Sequence, residues 1–218
     1  MNKLKAVVFD MDGVLFDTER LCMDAWVVIA ERYGLENIEE VAYRCIGRTA
    51  PDTKRILREA YPDFDMAALH DERRMLEKSI IAERGLPKKP GAAEILKALK
   101  ERGVPLAIAS STRMVTVESN LRSAGFYEYF DAVIGGDLIE RSKPHPDIYL
   151  AACKALNAAP ESAAAVEDSF NGIRSAKAAG MFTVMVPDIV QPDKEILKSA
   201  DLLCQSLAEA QTELLTLI

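Results

Sequence analysis

Short, continuously apolar runs alternate along most of the chain with longer segments whose apolar residues recur at helical spacing. Five of these runs are predicted strands: Lys5–Phe9, Pro105–Ala109, Ala132–Ile134, Ala163–Val166 and Thr183–Val186. Because they do not alternate between apolar and polar residues, they fit a parallel sheet that is buried on both faces. Strands that alternate with helices indicate βαβ units, so we predict a doubly wound, Rossmann-like α/β core.

Helices are predicted between the later strands and at the end of the chain. They are Ala92–Glu101, Met114–Ala124, Asp147–Leu156, Gly172–Ala179 and the tail Ser206–Ile218. Glycine tolerates the left-handed backbone conformation in which many helices end, and Gly103, Gly125 and Gly180 follow three of these segments.

The alternation breaks between residues 17 and 85, where helical patterns occur without a convincing strand. The predicted helices are Thr18–Tyr33, Ala50–Ala60 with Thr49 as a possible cap, and a helix that Asp65 caps and that runs towards Arg84. We therefore predict a Rossmann-like core formed by residues 1–16 and 86–218, with residues 17–85 inserted as an all-helical domain. Its second connection is the Pro- and Gly-rich segment Gly85–Gly91.

Composition narrows the class of protein further. The 218 residues carry 27 Lys and Arg against 34 Asp and Glu, a net charge of −7 that argues against nucleic-acid or anionic-membrane partners. The four cysteines form no CxxC pair and there are two histidines, which disfavours a zinc site. Free thiols and the lack of a signal or membrane-spanning segment lead us to expect a cytoplasmic protein, and we expect a monomer.

Polar side chains follow the predicted strands at several points. Asp10-Met11-Asp12-Gly13 comes after the first strand, Ser110-Ser111-Thr112 after the second, Lys143 after the third and Glu167-Asp168-Ser169 after the fourth. Ligands of open parallel sheets bind outside the carboxyl ends of the strands, so these groups should converge. Acids that lie together repel one another, and a divalent cation relieves that repulsion.

Each of these residues also has an ordinary structural interpretation. An aspartate after a strand often caps a helix or forms a turn, Ser110 to Thr112 could cap the helix near Met114, and Lys143 could be a solvated loop residue. Their joint occurrence at successive strand ends favours a functional site over independent caps.

The same motifs resemble those of a known superfamily. Asp10 to Glu19 (DMDGVLFDTE) is similar to the first motif of the haloacid dehalogenase (HAD) superfamily, Ser110 to its second, Lys143 to its third and Glu167-Asp168 to its fourth. The resemblance covers essentially the whole chain, and the helical insert resembles the family's helical cap. Glu167 to Gly172 resembles the β-phosphoglucomutase branch, while residues 17–21 and 185–188 resemble its phosphatases, including those acting on pseudouridine monophosphate.

The resemblance implies an enzyme, a Mg²⁺-dependent phosphatase of small phosphorylated metabolites such as a sugar phosphate or a nucleotide monophosphate. It implies an aspartyl-phosphate formed on Asp10, with Asp12 as general acid and base. The implied Mg²⁺ ligands are Asp10, the backbone carbonyl of Asp12 and Asp168, with Glu167 as a further ligand or as an acid that orients a metal-bound water. Ser110, Ser111 and Lys143 would bind the phosphoryl group.

Substrate specificity is expected in the cap domain. The candidate substrate-binding residues are Arg48, Thr49 and Asn171, with Cys22, Trp26, Arg73 and Arg74 as further candidates in the cap. The ordinary interpretation places Trp26 in the cap core and both Arg73 and Arg74 on an exposed helix face.

Three alternatives remain. A β-phosphoglucomutase-type isomerase would use the same aspartyl-phosphate, but that pattern has a gating histidine where this chain has Cys22, and a phosphate-binding arginine where it has Ala50. A dehalogenase needs neither Asp12 nor a metal. A non-catalytic binding protein would not need to retain the four motifs intact.

Overall fold

The chain folds as two compact units, Met1–Phe16 with Lys88–Ile218 and Asp17–Pro87. The computed structural model describes residues 3–46, 48 and 50–218, apart from the side chain of residue 50. The division therefore lies two residues beyond the boundary expected after residue 85.

Six parallel strands form the sheet of the first unit. They are β1 (Ala6–Phe9), β2 (Leu106–Ser110), β3 (Ala132–Gly135), β4 (Ala163–Glu167), β5 (Phe182–Met185) and β6 (Leu202–Leu203). Their spatial order is β3-β2-β1-β4-β5-β6, so the chain winds outward from β1 in both directions. β1, β2 and β4 are wholly buried, as their continuous apolar sequences require. The predicted α/β sheet is confirmed.

The register of the strands brings their carboxyl ends to one edge of the sheet. Phe9 pairs with Ile108 on one side and with Val166 on the other. Asp10 then extends the ladder, because its backbone N–H donates to the Val166 carbonyl over 3.0 Å. The next residues of all three strands therefore face the same region, which is where the predicted polar groups begin.

Six helices accompany this sheet. They are Ala92–Glu101, Met114–Ala124, Asp147–Ala155, Phe170–Ala178, Lys194–Ser199 and Leu207–Leu217, with short 3₁₀ turns at Tyr127–Tyr129, Gly136–Leu138 and Pro160–Ser162. On one face, Tyr149 and Ala176 pack in a buried apolar cluster with strand residues such as Val8, Ala107 and Ala165. Burial of these side chains is the main force that holds the helices on the sheet.

The main differences from the predicted elements lie near the end of the chain. The short helix Lys194–Ser199 and the two-residue strand Leu202–Leu203 were not predicted. Asp193 caps that helix by accepting hydrogen bonds from the backbone N–H groups of Glu195 and Ile196. The helix was missed because six residues are too few to show a helical repeat of apolar positions. The helix expected from Gly172 begins at Phe170, with Ser169 as its cap.

The second unit contains four helices and, within residues 17–46, 48 and 50–87, no strand. The helices are Thr18–Tyr33, Ile38–Cys45, Ala50–Ala60 and Met66–Arg84, of which Ile38–Cys45 was not predicted. Their buried faces share one apolar core that includes Trp26, Ile29 and Leu57. Asp65 caps the last helix by accepting from Ala67 and Ala68, as predicted. The cap predicted at residue 49 lies outside the described residues.

Trp26 is buried in this core, as its ordinary interpretation predicted, but Arg73 is not on an exposed face. Arg73 is buried, whereas Arg74 is exposed. The helical spacing of charged residues around position 73 resembles that of a solvated face, and so did not reveal the burial. Within the described part of the chain, no helix has the length and apolar character that crossing a bilayer requires.

Candidate active site

The turn after the first strand is held by its own backbone. Leu15 and Phe16 both donate to the Met11 carbonyl, at 2.9 and 3.1 Å, and Gly13 donates to the Phe16 carbonyl at 2.8 Å. Gly13 has φ +80°, and a Cβ there would lie 2.1 Å from Asp168 Oδ2. Glycine therefore lets this turn approach the carboxylate that follows β4.

A buried ion pair links the first and third predicted motifs. Lys143 Nζ donates to Asp10 Oδ1 at 2.5 Å, to Glu167 Oε1 at 2.6 Å and to the Ala109 carbonyl at 2.9 Å. An ammonium group has three N–H donors, and these three acceptors match them. Lys143 is thus a fixed positive charge between two carboxylates, not the solvated loop lysine of the ordinary interpretation.

Glu167 is fully buried, and both of its carboxylate oxygens accept hydrogen bonds from the protein. Oε1 accepts from Lys143 Nζ and from the Tyr149 hydroxyl at 2.7 Å. Oε2 accepts from the backbone N–H groups of Asp168 and Ser169 and from Ser169 Oγ. A Cβ on Gly172 would lie 1.8 Å from this carboxylate, so a larger residue at position 172 would force the carboxylate or the start of the helix Phe170–Ala178 to shift.

Three carboxylates form a group that could hold a metal ion. One oxygen from each of Asp10, Glu167 and Asp168 lies within 4.8 Å of the others. Hard oxygen donors of this kind suit a hard divalent cation. Because five donors already bind Glu167, the donor set fits a cation held chiefly by Asp10 and Asp168.

The electrostatics of the group also favour a cation. Burial raises the pKa of Asp10 to about 8, against the opposing effect of Lys143, and the neighbouring carboxylates of Glu167 and Asp12 raise it further. Burial tends to lower the pKa of Lys143, but Asp10 and Glu167 outweigh it and raise that pKa above its ordinary value. One lysine thus does not balance the local negative charge, and an added positive charge would favour the ionised form of Asp10.

The side chain of Asp12 lies against the end of β2. Its Oδ2 accepts from the Thr112 hydroxyl at 2.8 Å, and Ser110 Oγ lies 3.5 Å away. Ser110 Oγ in turn accepts the backbone N–H of Thr112 at 3.1 Å. Thr112 was predicted to belong to the polar groups at this edge or to cap the helix near Met114. The residue before the helix Met114–Ala124 is Arg113, whose side chain makes no capping hydrogen bond, and Met114 donates its N–H to Asp137.

The loop after β2 packs tightly on the loop after β3. Gly136 donates its N–H to the Thr112 carbonyl at 2.8 Å. A Cβ on Gly136 would lie 2.3 Å from the Ser111 carbonyl oxygen, and one on Gly135 would lie 2.5 Å from the Met114 nitrogen. Gly135 and Gly136, which carry no motif in the sequence, therefore fix the position of the predicted phosphate-binding loop.

The structure therefore brings most of the predicted core residues together at the carboxyl edge of the sheet. They are Asp10, Asp12, Ser110, Lys143, Glu167 and Asp168. Ser111 is exposed in the adjoining loop, and Asn171 is half-buried in the first turn of Phe170–Ala178. Arg48 is exposed within the helical unit, and residue 49 lies outside the described part of the chain.

A second polar cluster lies inside the helical unit. The buried Arg73 donates through Nη1 to Cys22 Sγ at 2.6 Å and to Glu77. Its guanidinium carbon lies 5.4 Å from the centre of the Trp26 ring, and its Nη2 lies 3.3 Å from His70 Nε2. Burial raises the pKa of Cys22 to about 12, with Arg73 opposing the shift, so this thiol is neutral near pH 7.

Comparison with known proteins identifies the family. The model of the haloacid dehalogenase-like hydrolases matches residues 4–180. This chain belongs to the haloacid dehalogenase-like hydrolase family. It is 36% identical over 178 residues to the "Phosphorylated carbohydrates phosphatase" of Thermotoga maritima, an alignment that covers 82% of each chain. It is 34% identical over 196 residues to the "Probable pseudouridine-5'-phosphatase" of Drosophila melanogaster, covering 86% of this chain and 84% of that one.

A solved structure of the same family has the same fold as this chain. The HAD family hydrolase from Deinococcus radiodurans, solved with bound phosphate and sodium, superposes with a TM-score of 0.82 at 28% identity. The alignment covers 100% of this chain and 99% of that one. The resemblance drawn from the four motifs is therefore confirmed, and the chain is an enzyme of the hydrolase class.

Proposed function

We propose that the protein is a Mg²⁺-dependent phosphatase that hydrolyses small phosphomonoesters through an aspartyl-phosphate. The observation that carries the proposal is the buried contact between Lys143 Nζ and Asp10 Oδ1, set within the carboxylate group of Asp10, Glu167 and Asp168. A buried carboxylate beside a fixed cation and further acids is typical of a site for phosphoryl transfer rather than of a structural ion pair.

In the first half-reaction, an oxygen of Asp10 attacks phosphorus and the bond between phosphorus and the substrate alcohol breaks. Asp12 donates a proton to the departing alcohol oxygen. The hydrogen bond from Thr112 holds the Asp12 carboxyl group in one orientation for this transfer. Asp10 then carries the phosphoryl group as an acyl phosphate, the alcohol leaves neutral, and Asp12 is left ionised.

In the second half-reaction, Asp12 accepts a proton from a water molecule that attacks the phosphorus of the aspartyl-phosphate. The bond from phosphorus to the Asp10 oxygen breaks, inorganic phosphate is released, and both aspartates return to their initial states. Throughout both steps the positive charge of Lys143 stabilises the negative charge that gathers beside Asp10. Ser110 and the backbone N–H of Ser111 are proposed to bind the other phosphoryl oxygens.

We assign the metal to Mg²⁺, because the donors are carboxylate oxygens and the substrate contributes phosphoryl oxygens. Asp10, Asp168 and the backbone carbonyl of Asp12 would hold it, with Glu167 supporting the set from behind. When bound, Mg²⁺ reduces the repulsion between the Asp10 carboxylate and the phosphate dianion.

For the substrate, we propose a phosphorylated sugar or nucleoside, the class named for the relatives. The helical unit, Asp17–Pro87, is proposed to act as a cap that selects the substrate, through residues such as Arg48 and Thr49, with Asn171 contributing from the core. We propose that the enzyme acts as a monomer.

The test is hydrolysis of p-nitrophenyl phosphate by the purified protein with Mg²⁺, with excess chelator, and by Asp10→Asn and the exposed control Asp63→Asn. We expect the wild type to turn over the substrate with Mg²⁺ and to lose this activity in excess chelator. Asp10→Asn should be slower by at least about a thousandfold, whereas Asp63→Asn should keep wild-type activity. A covalent phosphoprotein trapped by acid quench should be present in the wild type and absent in Asp10→Asn. Full turnover in chelator would show that the reaction needs no metal, and full turnover by Asp10→Asn would show that Asp10 is not the nucleophile.

A further inference from the structure

A fully buried tyrosine lies directly behind the Asp10–Lys143 ion pair. Tyr149 is the third residue of the helix Asp147–Ala155, and its hydroxyl donates to Glu167 Oε1 at 2.7 Å. The same oxygen accepts Lys143 Nζ at 2.6 Å. Lys143 Nζ also lies 5.0 Å from the centre of the Tyr149 ring, so the Tyr149 side chain contacts both Glu167 and Lys143, which form a buried ion pair of their own.

The position of Tyr149 is fixed by packing. Its ring belongs to the buried apolar cluster that includes Val8, Ala109 and Ala165 from three adjacent strands. Ala109 and Ala165 are small residues of this cluster, so their strands leave room for a large ring. A ring packed in this way has little freedom to turn, so its hydroxyl is presented to Glu167 in one direction.

Packing alone would not require a hydroxyl group on the ring of Tyr149. A phenylalanine would fill the same volume in an apolar cluster, whereas a buried hydroxyl is costly unless it is hydrogen-bonded. Here the hydrogen bond goes to the oxygen that also binds Lys143. With two donors, Glu167 Oε1 is held between Tyr149 and Lys143, and the ammonium is held 2.5 Å from Asp10 Oδ1.

We propose that Tyr149 is a positioning residue that acts through Glu167 to hold the Lys143 ammonium against Asp10. The inference rests on the proposed function, since it assigns the ion pair to phosphoryl transfer. Stabilisation of transition-state charge depends on where the donor lies, and a displacement of about 1 Å can reduce a rate by about a hundredfold. The hydroxyl matters because it sets that position through its hydrogen bond to Glu167.

The test compares Tyr149→Phe with Tyr127→Phe. Tyr127 also donates its hydroxyl to a carboxylate, Glu118 Oε1 at 3.4 Å, but outside the site, so it is a matched control. With p-nitrophenyl phosphate and Mg²⁺, we expect Tyr149→Phe to lower kcat by about tenfold and to change KM by less than about twofold. Inhibition by orthovanadate, which mimics the transition state, should weaken about as much as kcat falls, and inhibition by inorganic phosphate should weaken less. Tyr127→Phe should match the wild type.

A double-mutant cycle tests whether Tyr149 acts through Glu167. If it does, Tyr149→Phe should have little further effect on kcat in a Glu167→Gln background, so the two losses should not add. All assays are run well below the melting temperature of each variant, so that a shift in stability does not enter the rates.

The possible failures are distinguishable. Equal kcat values for Tyr149→Phe and the wild type, additive losses in the cycle, or a rise in KM alone would overturn the positioning role and leave the proposed function intact. A wild type that fails to hydrolyse p-nitrophenyl phosphate and to bind orthovanadate would overturn the proposed function, and the positioning role with it.

Discussion

The Thr112 hydroxyl donates a hydrogen bond to Asp12 Oδ2 across 2.8 Å, which ties the end of β2 to the turn after β1. If Asp12 moves the proton, this bond restrains the carboxyl group in the orientation that the transfer needs. Thr112→Val keeps the shape of the side chain and removes the donor. We expect kcat to fall by about tenfold with little change in KM, measured with p-nitrophenyl phosphate and Mg²⁺.

Thr116→Val is the control for that substitution, because Thr116 is an exposed threonine in the following helix. It should leave both kinetic constants unchanged. A Thr112→Val enzyme with wild-type kcat would show that the orientation of Asp12 is set by other contacts.

The substitution Gly172→Ala tests whether close packing around Glu167 supports the site. Gly172→Ala would place a Cβ 1.8 Å from the carboxylate carbon of Glu167, which five hydrogen bonds hold in place. We expect a loss of stability of about 1–3 kcal/mol, as for other overpacked sites, and a fall in kcat of at least about tenfold because the Glu167–Lys143 contact must shift. Urea unfolding and steady-state kinetics measure the two effects.

Gly180→Ala is the matched comparison. Gly180 has φ +84°, but a Cβ there would have no atom within 4 Å. It should cost about 1 kcal/mol through backbone strain and leave kcat unchanged. If both alanine variants lose stability equally and keep their activity, the close approach of Gly172 to Glu167 has no role in the site.

The core of the fold could be predicted because its central strands, β1, β2 and β4, are buried on both faces and are apolar up to their last residues. The order Asp10, Ser110, Lys143 and Glu167 along the chain also predicts a shared edge, since parallel strands place their carboxyl ends together. Sequence patterns did not reveal Leu202–Leu203, because two residues give no periodic signal. They did not reveal Ile38–Cys45 because Ile46 follows it directly, without the glycine that marked the end of Gly172–Ala179.

The supporting residues of the site could not be predicted in the same way. Tyr149 has the apolar spacing of an ordinary core residue in its helix, and only the three-dimensional contact shows that its hydroxyl meets Glu167. Thr112 has two plausible partners in sequence terms, the helix that follows and the turn after β1, and the structure pairs it with Asp12. Long-range hydrogen bonds of this kind leave no local pattern.

Asp201 should make stability depend on pH. It accepts hydrogen bonds from the N–H and hydroxyl of Thr183, at 2.9 Å each, and from Lys177 Nζ at 2.6 Å. Although burial opposes the shift, these donors lower the pKa of Asp201 below its ordinary value of 3.8. Its stabilising contribution is therefore complete above that value and is lost as the pH falls through the folded-state pKa.

Urea unfolding followed by circular dichroism, at a series of values from about pH 7 to about pH 3, measures that contribution. Asp201→Asn should be less stable than the wild type near neutrality, and the difference should shrink as the pH falls below about 4. The exposed Glu128→Gln should follow the wild type throughout. A constant difference between Asp201→Asn and the wild type would show that the ionised carboxylate is not what stabilises this edge.

The last prediction is that the enzyme releases phosphate to water rather than isomerising a sugar phosphate. A mutase must keep water from the aspartyl-phosphate while its bisphosphate intermediate reorients. Where the mutase pattern has a gating histidine, this chain has Cys22. Its pKa of about 12 keeps the thiol neutral, and its sulfur accepts a hydrogen bond from Arg73. Where that pattern has a phosphate-binding arginine, this chain has Ala50, which supplies no charge.

With β-glucose 1-phosphate, a trace of glucose 1,6-bisphosphate and Mg²⁺, free phosphate should therefore form faster than glucose 6-phosphate. A coupled assay for glucose 6-phosphate, run beside a phosphate assay on the same samples, measures both products. Asp10→Asn should form neither, which ties both products to the same nucleophile. Glucose 6-phosphate appearing much faster than phosphate would reverse the assignment in favour of the mutase.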